Sequence, residues 1–454
     1  GNFKNITNSN YLSNFTSINL LFVNILKYTK TDIKTLLYGS FAAFGTYFCM
    51  YAFRKPFTVA TYEGLSFWEV DYKIILIIAQ VLGYMFSKFI GIKLISELRN
   101  NQRLLLLITM IAVAEISLVL FAVVPAPYNL VFMFLNGLPL GVIWGIVFSY
   151  LEGRKTTEIL GVVLCSSFIV SSGAVKSVGL ISMRWIGVNE FWMPAVTGAI
   201  FIVPFLIFSY LLERIPSPTP EDISLRTERK PMSKVDRANL IKTYFFPIVI
   251  LVFFYAALTA LRDYRDNFSR EIWDALGLRD SIAIYTFSEI PIAILVLVIL
   301  GLFAFIKSNF RVFIYYHYLL FGGAFVIGLL TVFYQLELIS EIFWMISVGF
   351  GLYICYVPFN CIFFDRMIAA FRIKGNAGFL IYIADAFGYL GSIAVLLYKN
   401  FGQGGVSWLN FFIYGCYLIA ALGCIVAVAS LNYFKKKYKS SEKKISHLLN
   451  IAYE

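Results

Sequence analysis

The chain has 454 residues, of which 59% are hydrophobic and only 14% charged, with a formal net charge of +12. Its mean hydropathy of +0.77 leaves too few polar side chains to cover a water-soluble globule of this size, so most of its surface must face lipid. In a soluble protein the positive charge would suggest a nucleic acid partner, but here most of the basic residues fall in loops between apolar segments, which excludes that interpretation.

The first 35 residues precede the apolar segments and are rich in Asn, Ser and Thr. They lack the apolar core and small-residue cleavage site of a secretory signal peptide, so we expect residues 1–35 to form a cytoplasmic or interfacial segment. Within this segment, Tyr11 to Tyr28 is predicted to form an amphipathic helix at the membrane surface.

Twelve apolar runs of about 20 residues follow, and each is long enough to cross a hydrocarbon core roughly 30 Å thick as a helix. The first six predicted spans are residues 36–54, 73–92, 104–124, 128–150, 159–183 and 191–212. The last six are residues 243–262, 281–306, 311–333, 339–364, 376–399 and 408–434.

A polar basic linker, residues 213–242, separates the two sets of six spans. Two six-helix halves joined by such a linker are the layout of a major facilitator. The sequence therefore predicts an all-α integral membrane protein whose twelve transmembrane helices form two pseudo-symmetric six-helix bundles. The bundles are residues 36–212 and 243–434, followed by a basic cytoplasmic tail at residues 435–454.

Basic residues collect in the loops after spans 2, 4, 8 and 10, in the linker and in the tail. By the positive-inside rule both termini should therefore be cytoplasmic. The exception is the loop after span 7, where Arg262, Arg265, Arg270 and Arg279 are nearly balanced by Asp and Glu. Abundant Asn, Ile, Lys, Phe and Tyr suggest an AT-rich genome and a bacterial inner membrane.

Four cations fall within or at the ends of predicted spans. Arg54 and Lys55 lie toward the outer end of span 1, Lys88 in the inner part of span 2, and Lys176 in span 5. Charged groups in a span cost about 2.5–3.5 kcal/mol on insertion scales, so each marks a candidate functional site facing a polar cavity. Arg offers a fork of donors that matches carboxylate or phosphate oxygens and Lys a mobile point charge, so together they predict an anion site.

Tyr47, Tyr51 and Arg54 are spaced i, i+4 and i+7, which places two phenolic hydroxyls on the helical face of the guanidinium. The alternative for Arg54 and Lys55 is snorkelling to the outer headgroups, and Lys88 could likewise be an interfacial anchor.

Three acids also fall within predicted spans: Glu115 in span 3, Glu289 in span 8 and Asp385 in span 11. Buried carboxylates can carry protons when they are kept protonated, or they can neutralise a nearby Lys or Arg. For Glu115 we favour pairing. Asp385 is the stronger candidate for coupling, because it lies mid-span between two alanines and one turn before Gly388, where backbones can approach closely.

No motif of a hydrolase, a metalloprotease or an ATP-driven pump is present, so we do not expect an enzyme. The six cysteines fall inside apolar runs without metal-ligand spacing, and we expect neither a metal site nor a cofactor. The expected partners are a small anionic solute and membrane lipids, with no nucleic acid, and the expected state is a monomer.

Four segments resemble the organophosphate/phosphate antiporter family. YFCMYAFRKPF at residues 47–57 is similar to the span 1 signature of this family. GYMFSKFIG at residues 83–91, followed by SELRNNQR at residues 96–103, resembles its span 2 and the next loop. GNAGFLIYIADAFGYLGS at residues 375–392 is similar to its span 11. Three residues match its span 4 more loosely: Gly137, Gly141 and Trp144.

The resemblance implies a carrier that exchanges a phosphorylated organic molecule for inorganic phosphate by rocking two halves about a central basic site. By position Arg54 would bind the phosphate, with Lys55 and Lys88 as supporting cations. Glu289 loosely matches an acid in the family's span 8. Three tyrosines would line the cavity: Tyr47, Tyr51 and Tyr389.

The sequence also departs from the family. The second phosphate-binding arginine of the family, in span 7, would fall near Leu258 of this chain. The nearest candidates, Arg262 and Arg265, lie a turn or two further along. The family's span 5 histidine falls near the apolar Val170, and Asp385 replaces a small residue. The substrate expected from the resemblance could therefore be another anion, a zwitterion or an amphiphile.

The sequence thus predicts a secondary active transporter that moves a small organic anion, phosphorylated or carboxylated, by alternating access, with exchange or proton coupling. Three alternatives stay open. One is a transporter of a lipid-like, neutral or zwitterionic solute, another is a receptor-like membrane protein that does not transport, and the third is a membrane enzyme, which the absent motifs disfavour.

Overall fold

The computed structural model describes residues 29–96, 98–225, 234–373, 377–402 and 405–453. Within these ranges the only β-structure is a hairpin that pairs Ser66–Phe67 with Val70–Asp71 in antiparallel register. The predicted surface helix from Tyr11 to Tyr28 lies outside the described residues.

Among the residues that the structure describes, twelve helices are long and apolar enough to cross a membrane, as predicted. The first six are α1 Lys30–Met50, α2 Tyr72–Ser96, α3 Arg103–Val123, α4 Leu130–Leu151, α5 Thr157–Arg184 and α6 Met193–Glu213. The last six are α7 Phe245–Asn267, α8 Glu289–Ala304, α9 Asn309–Gln335, α10 Glu341–Cys361, α11 Ala377–Leu397 and α12 Trp408–Tyr453. Short helices lie between them at Pro220–Leu225, Lys234–Thr243, Ser269–Ala275, Ile284–Phe287 and Phe363–Ala370.

Helices α1–α6 pack into one half and α7–α12 into the other, and the two halves meet most extensively along two helix pairs. These pairs are α2 with α11 and α5 with α8, which occupy equivalent positions in the two six-helix halves. Gly173 of α5 allows the second contact, because a Cβ at this position would overlap the backbone carbonyl of Tyr285, in the short helix that precedes α8.

Helix α1 begins at the same end of the molecule as the linker, and we call this end the linker side. The other end is the opposite side. On the linker side Lys155, in the α4–α5 loop, connects the beginning of α1 to the linker. Its side-chain Nζ lies 2.8 Å from Asp32, and its backbone N–H donates to the carboxylate of Asp222 at 2.9 Å. Burial acts to raise the pKa of Asp222, but its hydrogen bonds to Lys155 and Thr219 hold that pKa below its ordinary value.

Candidate functional site

A cavity of about 1120 Å³ lies between the two halves. Residues of α1, α2, α4 and α5 line it on one side, and residues of α7, α10 and α11 on the other. Toward the linker side it reaches Glu152, Arg237 and Asp365, which follow or precede membrane helices there. The volume is slightly above the range of roughly 300–1,000 Å³ that is usual for small-molecule pockets.

The cavity face of α1 carries Arg54 at a break in the helix. The α-helical part ends at Met50 and a 3₁₀ turn covers Tyr51–Phe53, so Arg54 is the first residue after the helical segment. Pro56, which has no N–H, follows two residues later and prevents α1 from continuing as a regular helix. Because of this break, the side chains of Arg54 and its neighbour Lys55 lie in different surroundings.

Two buried amide side chains satisfy the carbonyl groups that this break leaves without helical partners. Asn136 Nδ2 donates to the carbonyl oxygen of Phe53 at 3.0 Å, and Gln80 Nε2 donates to that of Arg54 at 3.0 Å. Gln80 Nε2 also donates to Asn136 Oδ1 at 2.8 Å, which joins α2 and α4 in one network. The backbone that carries Arg54 is thereby fixed.

The Arg54 side chain is only 7% exposed and faces aromatic rings. Its guanidinium carbon lies 4.0 Å from the ring centroid of Tyr84 and 5.7 Å from that of Tyr51. No Asp or Glu among the residues that the structure describes forms an ion pair with it. A buried cation that is held by tyrosine faces and has no ion-pair partner is suited to bind an anion.

A second arginine, Arg262 of α7, lines the cavity from the other half. Its guanidinium carbon lies 3.9 Å from the ring centroid of Tyr356, and its Nη2 is 2.6 Å from Oδ1 of Asp263. The other oxygen of Asp263 accepts a hydrogen bond of 2.8 Å from Ser392. Arg262 is therefore a cavity cation that already has a carboxylate partner, unlike Arg54.

Lys88 of α2 and Asp385 of α11 form an ion pair across the cavity, with Nζ and Oδ2 3.4 Å apart. The hydroxyl of Tyr255 donates to Oδ1 of Asp385 at 2.6 Å. This pair joins the two halves inside the cavity, and an anion bound beside Lys88 would compete with Asp385 for it.

Six of the ten residues singled out in the sequence line the cavity: Tyr47, Tyr51, Arg54, Lys88, Asp385 and Tyr389. Sequence reasoning missed Tyr84, although Gln80, Tyr84 and Lys88 share the i, i+4, i+8 spacing that places three polar groups on one face of α2. It also assigned Arg262 to a loop, because the predicted span 7 ended there.

The structure does not bring Lys55 and Lys176 into this cavity. Both lie on the opposite side and pair with the carboxylate of Asp266 from α7, at 2.5 Å each. Lys55, expected to support Arg54, and Lys176, predicted as a further substrate-binding cation, therefore belong to a separate buried cluster between the halves.

The remaining two acids also lie apart from the cavity. Glu289 pairs with Arg265 of its own half at 2.8 Å. Glu115 lies between α3 and α6 beside Gly198, and its Oε2 is buried without a hydrogen-bond partner among the described residues.

The opposite side is closed by the Asp266 cluster and by a second ion pair between the halves, in which Lys73 and Glu271 are 2.5 Å apart. On the linker side Arg366 and Glu158 join the halves at 2.6 Å, beside the open end of the cavity. The structure thus combines a closed opposite side with a cavity that reaches the linker side.

The sequence model of a family of unknown function, DUF5690, matches residues 56–437. The chain belongs to this family. No curated protein shows significant sequence similarity to this DUF5690 chain.

Solved structures show which fold the DUF5690 chain has. The nucleoside transporter NupG superposes with a TM-score of 0.56 at 14% identity, covering 88% of this chain and 99% of that one. A D-xylose-proton symporter superposes with a TM-score of 0.57 at 14% identity, covering 88% and 97%. The major facilitator superfamily proton:xylose symporter XylE gives a TM-score of 0.57 at 14% identity, covering 88% and 95%. The predicted major facilitator fold is confirmed.

Proposed function

We propose that this protein is a secondary transporter that moves a small organic anion, phosphorylated or carboxylated, across a membrane by alternating access. It works in a bacterial inner membrane as a monomer, with both termini in the cytoplasm. Similar folds in a nucleoside transporter and in proton:xylose symporters support the transporter class, although they carry no information on the substrate of this chain.

The observation that carries the proposal is the state of Arg54. Its guanidinium is buried in the cavity between the halves, oriented by Tyr84 and Tyr51, and unpaired with any carboxylate in the described part of the chain. Leaving such a charge unpaired is costly, and a bound carboxylate or phosphate would remove that cost through bidentate hydrogen bonds.

Alternating access is supported by the placement of the ion pairs. The pairs of Asp266 with Lys55 and Lys176 and of Lys73 with Glu271 close the opposite side between the halves, while the cavity reaches the linker side. Rocking the two halves would open the cavity to the opposite side and close it to the linker side without any chemical step. The antiporter family that the sequence resembles favours exchange, whereas Asp385 beside Lys88 and Tyr255 favours proton coupling.

The test is a thermal-shift screen of the purified protein against inorganic phosphate, glycerol phosphate, hexose phosphates, carboxylates and sulfonates, followed by uptake of the stabilising anion into proteoliposomes. Arg54→Ala should abolish the stabilisation, and Arg54→Lys should weaken it, because Lys keeps the charge but loses the bidentate fork. Uptake with and without a pH gradient separates proton coupling from exchange.

Arg311→Ala is the matched control, since Arg311 is an exposed arginine at the beginning of α9. It should leave both stabilisation and uptake unchanged. An anion whose stabilising effect survives Arg54→Ala would contradict the proposed site.

A second candidate function is transport of a lipid-like anion. Three cavity-lining side chains on α2 and α11 are large, apolar and each about half exposed: Phe89, Phe387 and Leu390. The cavity wall that these helices form is therefore partly apolar, as a lipid-like solute would require. Lysophospholipids in the same screen decide between the candidates, because a lipid-like substrate should stabilise the protein more than its soluble headgroup does.

A further inference from the structure

We infer that Lys55, Lys176 and Ser172 form a second anion site on the opposite side of the first half, in which Asp266 of the second half takes the place of the transported anion. This inference rests on the proposed function, because the site is exposed only when the halves separate on that side.

The donors around the Asp266 carboxylate all come from the first half. Lys55 Nζ lies 2.5 Å from Oδ2 and Lys176 Nζ lies 2.5 Å from Oδ1. The hydroxyl of Ser172 also donates to Oδ1. Two ammonium groups, one on each oxygen, and a hydroxyl form a complete set of donors for one carboxylate or one face of a phosphate.

Every described partner of the two ammonium groups belongs to the second half. Besides the Asp266 carboxylate, Lys55 donates to Oδ1 of Asn267 at 2.8 Å, while Lys176 donates to Oγ of Ser269 at 3.1 Å and to the backbone carbonyl of Asp266. Lys55 and Lys176 are 4% and 2% exposed. When the opposite side opens, both cations lose these partners together.

A pair of cations that has just lost its carboxylate attracts another anion. The position of the pair then gives it a role. Arg54 and Lys55 are adjacent in the chain. Arg54 faces the central cavity, whereas Lys55 belongs to the second site. An anion entering from the opposite side would first replace Asp266 and then move to Arg54, after which the return of Asp266 closes the protein behind it.

Chemical rescue tests the site without knowledge of the substrate. Asp266→Ala removes the carboxylate and leaves a space beside two lysines, so the variant should have a lower Tm than the unmodified protein. Formate should raise that Tm by several degrees in a saturable way, relative to chloride at equal ionic strength. Asp266→Asn removes the same charge but fills the space, so formate should not raise its Tm.

Asp266→Ala combined with Lys176→Met is the second control, and it should lose the rescue. Equal rescue of all three variants would overturn the inference, because formate would then act at no particular site. The failure of Arg54→Ala to affect anion binding is a separate result, which would contradict the central site and leave this rescue unaffected.

A second arm covers the case in which Asp266→Ala cannot be purified. Gly173→Val should hold the opposite side open, so the double variant Arg54→Ala, Gly173→Val should still be stabilised by inorganic phosphate. Adding Lys176→Met should remove that stabilisation. Stabilisation that persists without Lys176 would show that phosphate does not bind at this site.

Discussion

At the scale of single residues, the position of Arg54 depends on side chains that do not contact the cavity themselves. Asn136 donates to the carbonyl oxygens of Phe53 and Ala114, at 3.0 and 3.1 Å, and is fully buried. It therefore connects the broken end of α1 to α3 and α4. Such a residue positions the binding group without binding the solute.

We predict that Asn136→Leu lowers the free energy of unfolding by about 1–3 kcal/mol, because buried carbonyl groups lose their donor. The same change should weaken anion binding by about tenfold, since the end of α1 is no longer fixed. Thermal unfolding and isothermal titration with the stabilising anion measure the two effects. Thr109→Ala, at an exposed hydroxyl on α3, is the control. Unchanged affinity in Asn136→Leu would show that α1 holds Arg54 unaided.

The ion pair between Lys88 and Asp385 gives a second prediction at this scale. Lys88→Met should weaken anion binding, because it removes a cation and leaves the negative charge of Asp385 in the cavity. Asp385→Asn in that background should recover part of the loss. A double-mutant cycle on binding should then give a coupling energy of about 0.5–3 kcal/mol, whereas additive effects would mean that the two residues act independently.

The sequence predicted the cavity residues of α1 well, because helical spacing places Tyr47, Tyr51 and Arg54 on one face whatever they pack against. It could not separate Arg54 from Lys55. Adjacent basic residues look equivalent in a sequence, and the 3₁₀ turn before them decides their directions. The partners of the two lysines in the second cluster lie 90 residues or more away along the chain, so only the fold reveals the cluster.

At the scale of helices, the close approach of α5 to the short helix before α8 depends on Gly173, which has room for no side chain against Tyr285. We predict that Gly173→Val separates these helices on the opposite side and favours the conformation open there. Hydrogen exchange measured by mass spectrometry should increase in residues 281–288, whose backbone becomes accessible to water.

Gly301→Val is the matched control, because Gly301 lies in α8 with open space around it. It should leave exchange in residues 281–288 unchanged. Equal exchange in the two variants would mean that the Gly173 contact does not hold the opposite side closed.

The helices themselves were largely predictable, since a length of about 20 apolar residues is set by the thickness of the membrane. The end of α7 was not. The predicted span ended at residue 262, whereas the helix continues to Asn267 through Asp263, Arg265 and Asp266. Charged residues normally mark the end of a span, but here they remain helical because each is paired inside the protein.

At the scale of the whole molecule, the distribution of charge predicts the orientation in the membrane. An even number of spans puts the two ends of the helical region on one side, and the linker and tail there are rich in Lys and Arg. On the opposite side, the segment between α7 and α8 carries only Arg270 and Arg279 against three acidic residues, and Arg270 pairs with Asp274 at 2.8 Å. The opposite side should therefore face away from the cytoplasm.

We predict that a membrane-impermeant maleimide labels Asp280→Cys in intact cells, because this side chain is 99% exposed on the opposite side. Lys439→Cys, on the exposed tail end of α12, should be labelled only after the cells are permeabilised. The unmodified protein provides the background, since five of its six cysteines are buried. Labelling of Lys439→Cys but not Asp280→Cys in intact cells would reverse the orientation. The cavity in this structure would then open away from the cytoplasm, and Asp266 would close the cytoplasmic side.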